Sequence, residues 1–346
     1  MKTMGRRAFL GVAGAAGLVF LGGCASGGSA SSAASSEAAA SSAGESSAVA
    51  SSAASADVTL TVGTLATEDI LPLWVAEAEK LYDSHGVNVD VVVFQSATEL
   101  ISGVSAGEVD LAMTDIMVTA SIFASGTDVQ MQWVTLGTSA DQGRFGIMAG
   151  PDSTIDSLEQ LAGVPIGVGS NTILEYVMDK LLEGAGVTGD QVVVEELQKL
   201  PVRFQAMVSG DVAAAALPGT LLTLGEASGC KLIADDTQGE NLSQSVMIVR
   251  SELLADEASV QAVENLEDVW DEAVALVNAN PETYREVLVK NANLPEEIAD
   301  TYPISSYPTV QLPTSQMVDP VLAWMEQKGY LTKELSYDEA TGTFSK

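Results

Sequence analysis

Residues 58–115 read VTLTVGTLATEDILPLWVAEAEKLYDSHGVNVDVVVFQSATELISGVSAGEVDLAMTD, and the hydrophobic period switches along them. VTLTVGT (58–64), VNVDVVVF (87–94) and VDLAMT (109–114) are short β-branched or apolar runs that predict strands. Between them LPLWVAEAEKLYDSH (71–85) and SATELISGVSAG (96–107) carry helical spacing. Strands that alternate with helices in this way predict an α/β fold with mainly parallel strands.

VQMQWVTLG (129–137) and RFGIMAG (144–150) predict two further strands, after which the plan repeats. VPIGVG (164–169), QVVVEEL (191–197) and VAAAAL (212–217) read as strands, with helices over SNTILEYVMDKLLEGAG (170–186) and PVRFQAMVSG (201–210). Both series pass from helix to strand through the same pattern, SAGEV (105–109) and VSGDV (208–212). In each the Gly suits a left-handed helix cap and the acid–Val pair opens the strand. The chain is therefore expected to form two similar α/β lobes with a ligand cleft between. RFGIMAGPDS (144–153) and SQSVMIVRS (243–251) are the expected crossings. That assigns 57–149 and 246–310 to lobe one and 150–245 to lobe two. The remainder, 311–346, holds the helical run SQMVDPVLAWMEQKGYL (315–331) and is expected to pack across the back of the lobes. Two connections between lobes make a hinge.

Ahead of the folded part stands RRAFLGVAGAAGLVFLGGC (6–24). Twin arginines, an apolar run and Leu21-Gly22-Gly23-Cys24 predict an export signal over 1–23 ending in a lipobox, with Cys24 lipidated. The apolar run 8–21 is shorter than the roughly 20 residues of a membrane span. Gly5 and Gly11 occupy positions where the twin-arginine pattern has other residues, so the export route stays open between the folded-protein and general secretory pathways. Residues 24–56 are almost wholly Ser, Ala and Gly, too poor in apolar mass to offset the entropy of ordering, and predict a flexible tether. The expected location is the extracytoplasmic face of the cell membrane, held there by the lipid anchor.

With 47 acidic and 15 basic residues the chain has a formal charge of −32, and loss of Lys2, Arg6 and Arg7 with the signal takes it to −35. Such a surface argues against nucleic acid as a partner and against direct adhesion to anionic lipid. Once Cys24 carries lipid, Cys230 has no partner for a disulfide within the chain, and the single histidine, His85, falls in a turn between a helix and a strand. No phosphate loop, zinc pattern or Cys/His pair is present, and Gly167-Val168-Gly169 lacks the third glycine of a dinucleotide fingerprint. No cofactor and no metal are expected.

In open parallel sheets ligands bind beyond the carboxyl ends of the strands, where helix N-termini present free N–H groups. The loops that qualify contain Thr67, Glu68, Ser96, Thr114, Asp115, Ser170, Asn171, Thr172 and Thr220. Ser96 with Glu99, and Thr172 with Glu175, have capping-box spacing, so these hydroxyls either cap their own helices or also present amides to a ligand. Glu68 and Asp115 can meet an amino or cationic group, or serve as solvated or capping acids. Arg144 can grip a sulfonate, carboxylate or phosphate, or form a structural ion pair, and Arg203 and Lys199 carry the same ambiguity. Phe94, Trp133 and Phe145 are aromatic candidates for the wall of the cleft or for the core.

The stretch 64–115 resembles the opening of ABC-importer solute-binding lipoproteins, in the branch that takes up sulfonates, taurine, nitrate and thiamine pyrimidine precursors. STIDSLEQLAGVPIGVGSNTILEYVMDKLLEGAGV (153–187) resembles the start of that family's second lobe, and FQAMVSGDVAAAALPGTLLTLGEASG (204–229) its following helix and ligand loop. The resemblance implies a two-lobed type II periplasmic-binding fold, capture of a small-molecule ligand by a monomer, and delivery to a membrane permease and its ATPase. The Cys-rich, His-bearing site of the pyrimidine-synthesising relatives has no counterpart here. An enzyme using Glu68 or Asp115 as general base, or a surface receptor domain on the same fold, are the alternatives.

Overall fold

The computed structural model describes residues 58–346. The export signal, the lipidation site Cys24 and the tether lie outside the described residues. The first series comprises β1 (Thr59–Leu65), α1 (Leu71–Glu79), α2 (Leu81–His85), β2 (Asn88–Phe94), α3 (Ala97–Ala106), β3 (Leu111–Asp115), α4 (Ile116–Ser125) and β4 (Val129–Leu136). The second comprises β5 (Phe145–Ala149), β6 (Pro165–Val168), α5 (Ile173–Gly184), β7 (Val193–Glu196), α6 (Leu200–Val208), β8 (Ala214–Pro218), α7 (Gly219–Ala227) and β9 (Lys231–Asp235). The chain then returns through β10 (Ser245–Arg250), α8 (Glu257–Ala279), α9 (Arg285–Asn291), α10 (Glu296–Ala299), α11 (Ser315–Lys328) and the hairpin β11 (Ser336–Asp338) and β12 (Thr343–Ser345).

Two sheets result, ordered β11-β12-β4-β10-β3-β1-β2 and β7-β6-β8-β5-β9. In the first, β1 lies parallel to β2 and β3, and β10 runs antiparallel between β3 and β4. In the second, β6 lies parallel to β7 and β8, and β5 runs antiparallel between β8 and β9. The duplicated plan read from SAGEV and VSGDV is thus a duplicated topology. Gly107 (φ 74°) and Gly210 (φ 80°) take the left-handed conformation at the equivalent helix ends. One predicted helix is broken: Lys80, at φ 61°, separates α1 from α2.

The assignment of residues up to 149 to lobe one needs correction. Phe145–Ala149 is buried along its whole length and pairs on both sides within the second sheet. Neither RFGIMAGPDS nor SQSVMIVRS is itself a crossing. The crossings are the polar segments just before them, GTSADQGR (137–144) and DTQGENLSQ (236–244), whose composition cannot complete a buried strand. The segment 311–346 joins lobe one through Thr343 of β12, which pairs with Gln130 of β4. It also reaches lobe two, where Lys328 binds Glu175 at 2.8 Å and Asp179 at 2.9 Å.

The two crossings lie against each other. Asn241 donates from Nδ2 to the Gly137 carbonyl at 2.6 Å, and the Phe145 N–H donates to Asp236 Oδ1 at 2.8 Å. Gly137 has φ 95°, and a Cβ there would stand 1.9 Å from the Ser243 carbonyl oxygen. Gly137→Ala is therefore expected to destabilise the protein by at least about 2 kcal/mol in denaturant unfolding. An unchanged midpoint and slope would contradict this close approach of the crossings.

Candidate functional site

The carboxyl ends of the parallel strands face each other across the lobes and enclose a cavity of about 70 Å³. From lobe one its polar wall is Thr67, Asp69, Thr114, Asp115 and, at the start of β10, Ser245; from lobe two it is Thr172, Gln198 and Arg203. Leu65, Leu100, Met113, Phe145, Ile173 and Leu200 are among the apolar residues that separate these groups.

Asp115 ends β3 and caps α4, where its Oδ1 accepts the Val118 N–H at 2.7 Å. Its Oδ2 accepts the Ile173 N–H at 3.2 Å, which is the first N–H of α5 in the other lobe. One carboxylate thus serves a helix N-terminus in each lobe, and burial raises its pKa to about 6 against those two bonds. Asp69 accepts from the Ser245 hydroxyl. Its neighbour Glu68 is buried behind the cavity wall, accepts from the Tyr302 hydroxyl at Oε1, and has no partner at Oε2. Burial and the Asp69 charge push the Glu68 carboxyl up to about 7, while the Tyr302 bond opposes them.

Arg203 is 1% exposed on α6. Its Nε donates to the Leu197 carbonyl at 2.8 Å, and its two terminal nitrogens donate to Ala216 at 2.9 Å and Gln198 at 3.2 Å. Among the described residues, none of these bonds goes to a carboxylate. A guanidinium has five N–H groups, so this geometry fixes its plane and leaves donors for a ligand acceptor. Burial lowers its pKa to about 10, which keeps it charged at neutral pH.

Four of the residues expected from the sequence, Thr67, Thr114, Asp115 and Thr172, come together on the cavity wall. Thr220 lines an adjoining chamber instead. Ser96 caps α3 by accepting the Glu99 N–H at 3.2 Å. The capping box expected at Thr172 does not form. Its hydroxyl donates to the Gly169 carbonyl at 2.7 Å, because Glu175 is drawn to Lys328, to the Tyr330 hydroxyl and to the Asn171 N–H. Asn171, at φ 57°, donates from Nδ2 to Ser121 of lobe one at 2.6 Å, and Ser170 binds Glu196. Arg144 forms ion pairs with Asp235 at 2.8 Å and Glu226 at 3.1 Å, away from the cavity wall. Of the aromatic candidates, Phe145 lines the cavity and Phe94 the chamber, while Trp133 packs on Trp270 in the core with ring centroids 5.6 Å apart.

On the cavity wall, Asp69, Gln198 and Ser245 are not among the residues expected from the sequence, and Arg203 is expected there only with the ambiguity of Arg144. A signal for Arg203 existed: it shares the helix face of Leu200 and Met207 and adjoins Phe204, so the pattern places a cation on a buried face. Ser245 opens β10, whose pairing register with β3 and β4 no local pattern records.

The profile of the family described as NMT1/THI5 like matches residues 67–284. No curated sequence is matched by the chain. Among solved structures, the alkanesulfonate-binding protein SsuA from Xanthomonas axonopodis pv. citri is similar at a TM-score of 0.67 and 19% identity, over 80% of this chain and 95% of that one. The ligand-binding component of an ABC-type import system from Staphylococcus aureus is similar at 0.65 and 12% identity, over 79% and 92%. The desulfurization enzyme DSZB is similar at 0.61 and 16% identity, over 80% and 94%. The fold is the two-lobed periplasmic-binding fold, and both binding proteins and an enzyme share it.

The buried acids make stability depend on pH. Glu68, Asp115 and Asp236, the last raised to about 6 mainly by burial, hold protons in the folded state that the unfolded chain releases nearer pH 4. The folded state binds more protons, so its stability is greatest below that range and falls as pH rises through about 6 to 7. Thermal unfolding at constant ionic strength should show the midpoint dropping between pH 5 and 8, and Glu68→Gln should make that drop shallower. A midpoint that rises over this range would contradict the assignment.

Proposed function

Since the chain belongs to the NMT1/THI5 like family, we propose that it is the lipid-anchored, extracytoplasmic solute-binding component of an ABC importer. It captures a small organic molecule between its lobes as a monomer and delivers it to a membrane permease and ATPase. The observation that carries this reading is the cavity closed by strand ends of both lobes, with Asp69 and Asp115 on one wall and Arg203 and Gln198 on the other. The paired acids favour a ligand with an amino or other N–H donor group, and the free guanidinium donors favour an acceptor on the same molecule. Within the sulfonate, nitrate and pyrimidine-precursor range, amino-bearing solutes satisfy both walls and nitrate satisfies one.

The likeness to DSZB keeps an enzyme in view, with Glu68 or Asp115 as base. Asp115 already accepts two backbone N–H groups, and Glu68, bonded to the Tyr302 hydroxyl through Oε1, lies behind the cavity wall rather than on it. The residues lining the cavity include no Cys or His. Binding without turnover is the reading these contacts favour, and prolonged incubation should return the ligand unchanged.

A thermal-shift panel of aminosulfonates, aminopyrimidines, sulfonates and nitrate tests the proposal on the full-length protein. A cognate solute at about 100 times its Kd should add about 2.7 kcal/mol of stability. Asp69→Asn should weaken that solute by about tenfold or more, through loss of a charge-assisted hydrogen bond. A panel without any stabilising member would contradict solute capture. Cys24→Ser should move the protein from the membrane to the soluble fraction, and retention of the variant on the membrane would refute the anchor.

A further inference from the structure

Next to the cavity of about 70 Å³ lies a second chamber of about 300 Å³. The two share Leu65 and Thr67 from lobe one and Leu200 and Pro218 from lobe two, which form a neck between them. The chamber, like the cavity, has walls from both lobes. Phe94 faces it from β2, Phe204 and Leu221 from α6 and α7, and the turn at Asn293 and Leu294 closes one end. In a chain with 47 acidic residues, none of the residues lining this chamber carries a charge. Its wall is also fixed: a Cβ on Gly103 would stand 2.8 Å from the Phe94 ring, so the aromatic side chain rests directly on α3.

Organic ligands usually occupy pockets of about 300–1,000 Å³. The polar cavity falls well below that range, and with three of its lining side chains charged it offers room and partners for a headgroup only. The chamber supplies the missing volume without supplying another ionic partner. Because both spaces take walls from both lobes, a closing motion of the lobes would enclose the headgroup and whatever fills the chamber together.

Resting on the solute-binding reading, we infer that the cognate solute has two parts. A polar head is held between Asp69 and Arg203, and an uncharged apolar ring or short chain passes the neck into the chamber walled by Phe94, Phe204 and Leu221. Small inorganic anions and head-only solutes fill the cavity and leave the chamber to water. They forfeit the apolar burial that closes it.

Calorimetric titration of the full-length protein with pairs that share a head tests this: methylamine with benzylamine, methanesulfonate with phenylmethanesulfonate, and formate with phenylacetate. In whichever pair binds, the aromatic member should bind about tenfold or more tighter, as expected for burial of a ring. In Leu221→Glu, which puts a charge into the chamber wall, the ratio within that pair should fall to about one. Equal affinities in the wild-type protein would overturn the inference while leaving solute capture standing, as would a ratio unchanged in the variant. Absence of binding by every pair would count against the two-part solute and against solute capture together. The wild-type comparison decides the matter even if the variant fails to fold.

Discussion

Each sheet is completed by a strand that runs against its neighbours and arrives directly from a crossing. β5 enters the second sheet after residues 137–144, and β10 enters the first after residues 236–244. Because these strands are central and fully or almost fully buried, neither crossing can peel away without exposing a sheet interior. The lobes can therefore move only by flexing the polar crossings, which are joined by Asn241 and by the Asp236 bond to Phe145. The same arrangement turns the carboxyl ends of both sets of parallel strands toward one cleft. Fold, hinge and cleft follow from one topological constraint.

The contacts that close the cleft differ in kind. Near α5 they are buried or half-buried: Asp115 to Ile173, Asn171 to Ser121, and the Lys328, Trp324 and Tyr330 bonds to Glu175 and Asp179. Elsewhere they are exposed, as with Lys199 to Glu99 and Thr98 to Gln198. Exposed pairs of this type hold little free energy and are screened by salt, so the buried contacts near α5 carry most of the cross-lobe bonding. In the proposed role, a solute bonded to Asp69 in one lobe and Arg203 in the other would favour the closed form by binding it better than the open one.

Much of this was legible in the chain. Period-2 and period-3.6 runs separated strands from helices because the strands are short and β-branched, and the repeated Gly-acid-Val pattern revealed the duplicated lobe. Residues 145–149 were misassigned because an apolar strand carries no mark of which sheet will bury it, and the informative feature was the polar segment ahead of it. The hairpin β11–β12 extends the first sheet through a single residue pair, too slight a contact to leave a sequence pattern. Position at strand ends was enough to place Thr67, Thr114, Asp115 and Thr172 on the cavity wall, although the cap expected at Thr172 is replaced by a bond to Gly169. Asp69, beside Glu68, and Arg203 line the cavity, whereas Arg144 does not. Isolated charge in a loop looks functional, whereas Arg144 is neutralised by Asp235 and Glu226 and Arg203 is held by carbonyls that no side-chain pattern announces.

In the proposed role the two lobes close on a solute. Small-angle scattering from the full-length protein, with and without the solute that stabilises it most, tests this directly. The account predicts a smaller radius of gyration at saturation; identical profiles for the free and saturated protein would contradict it.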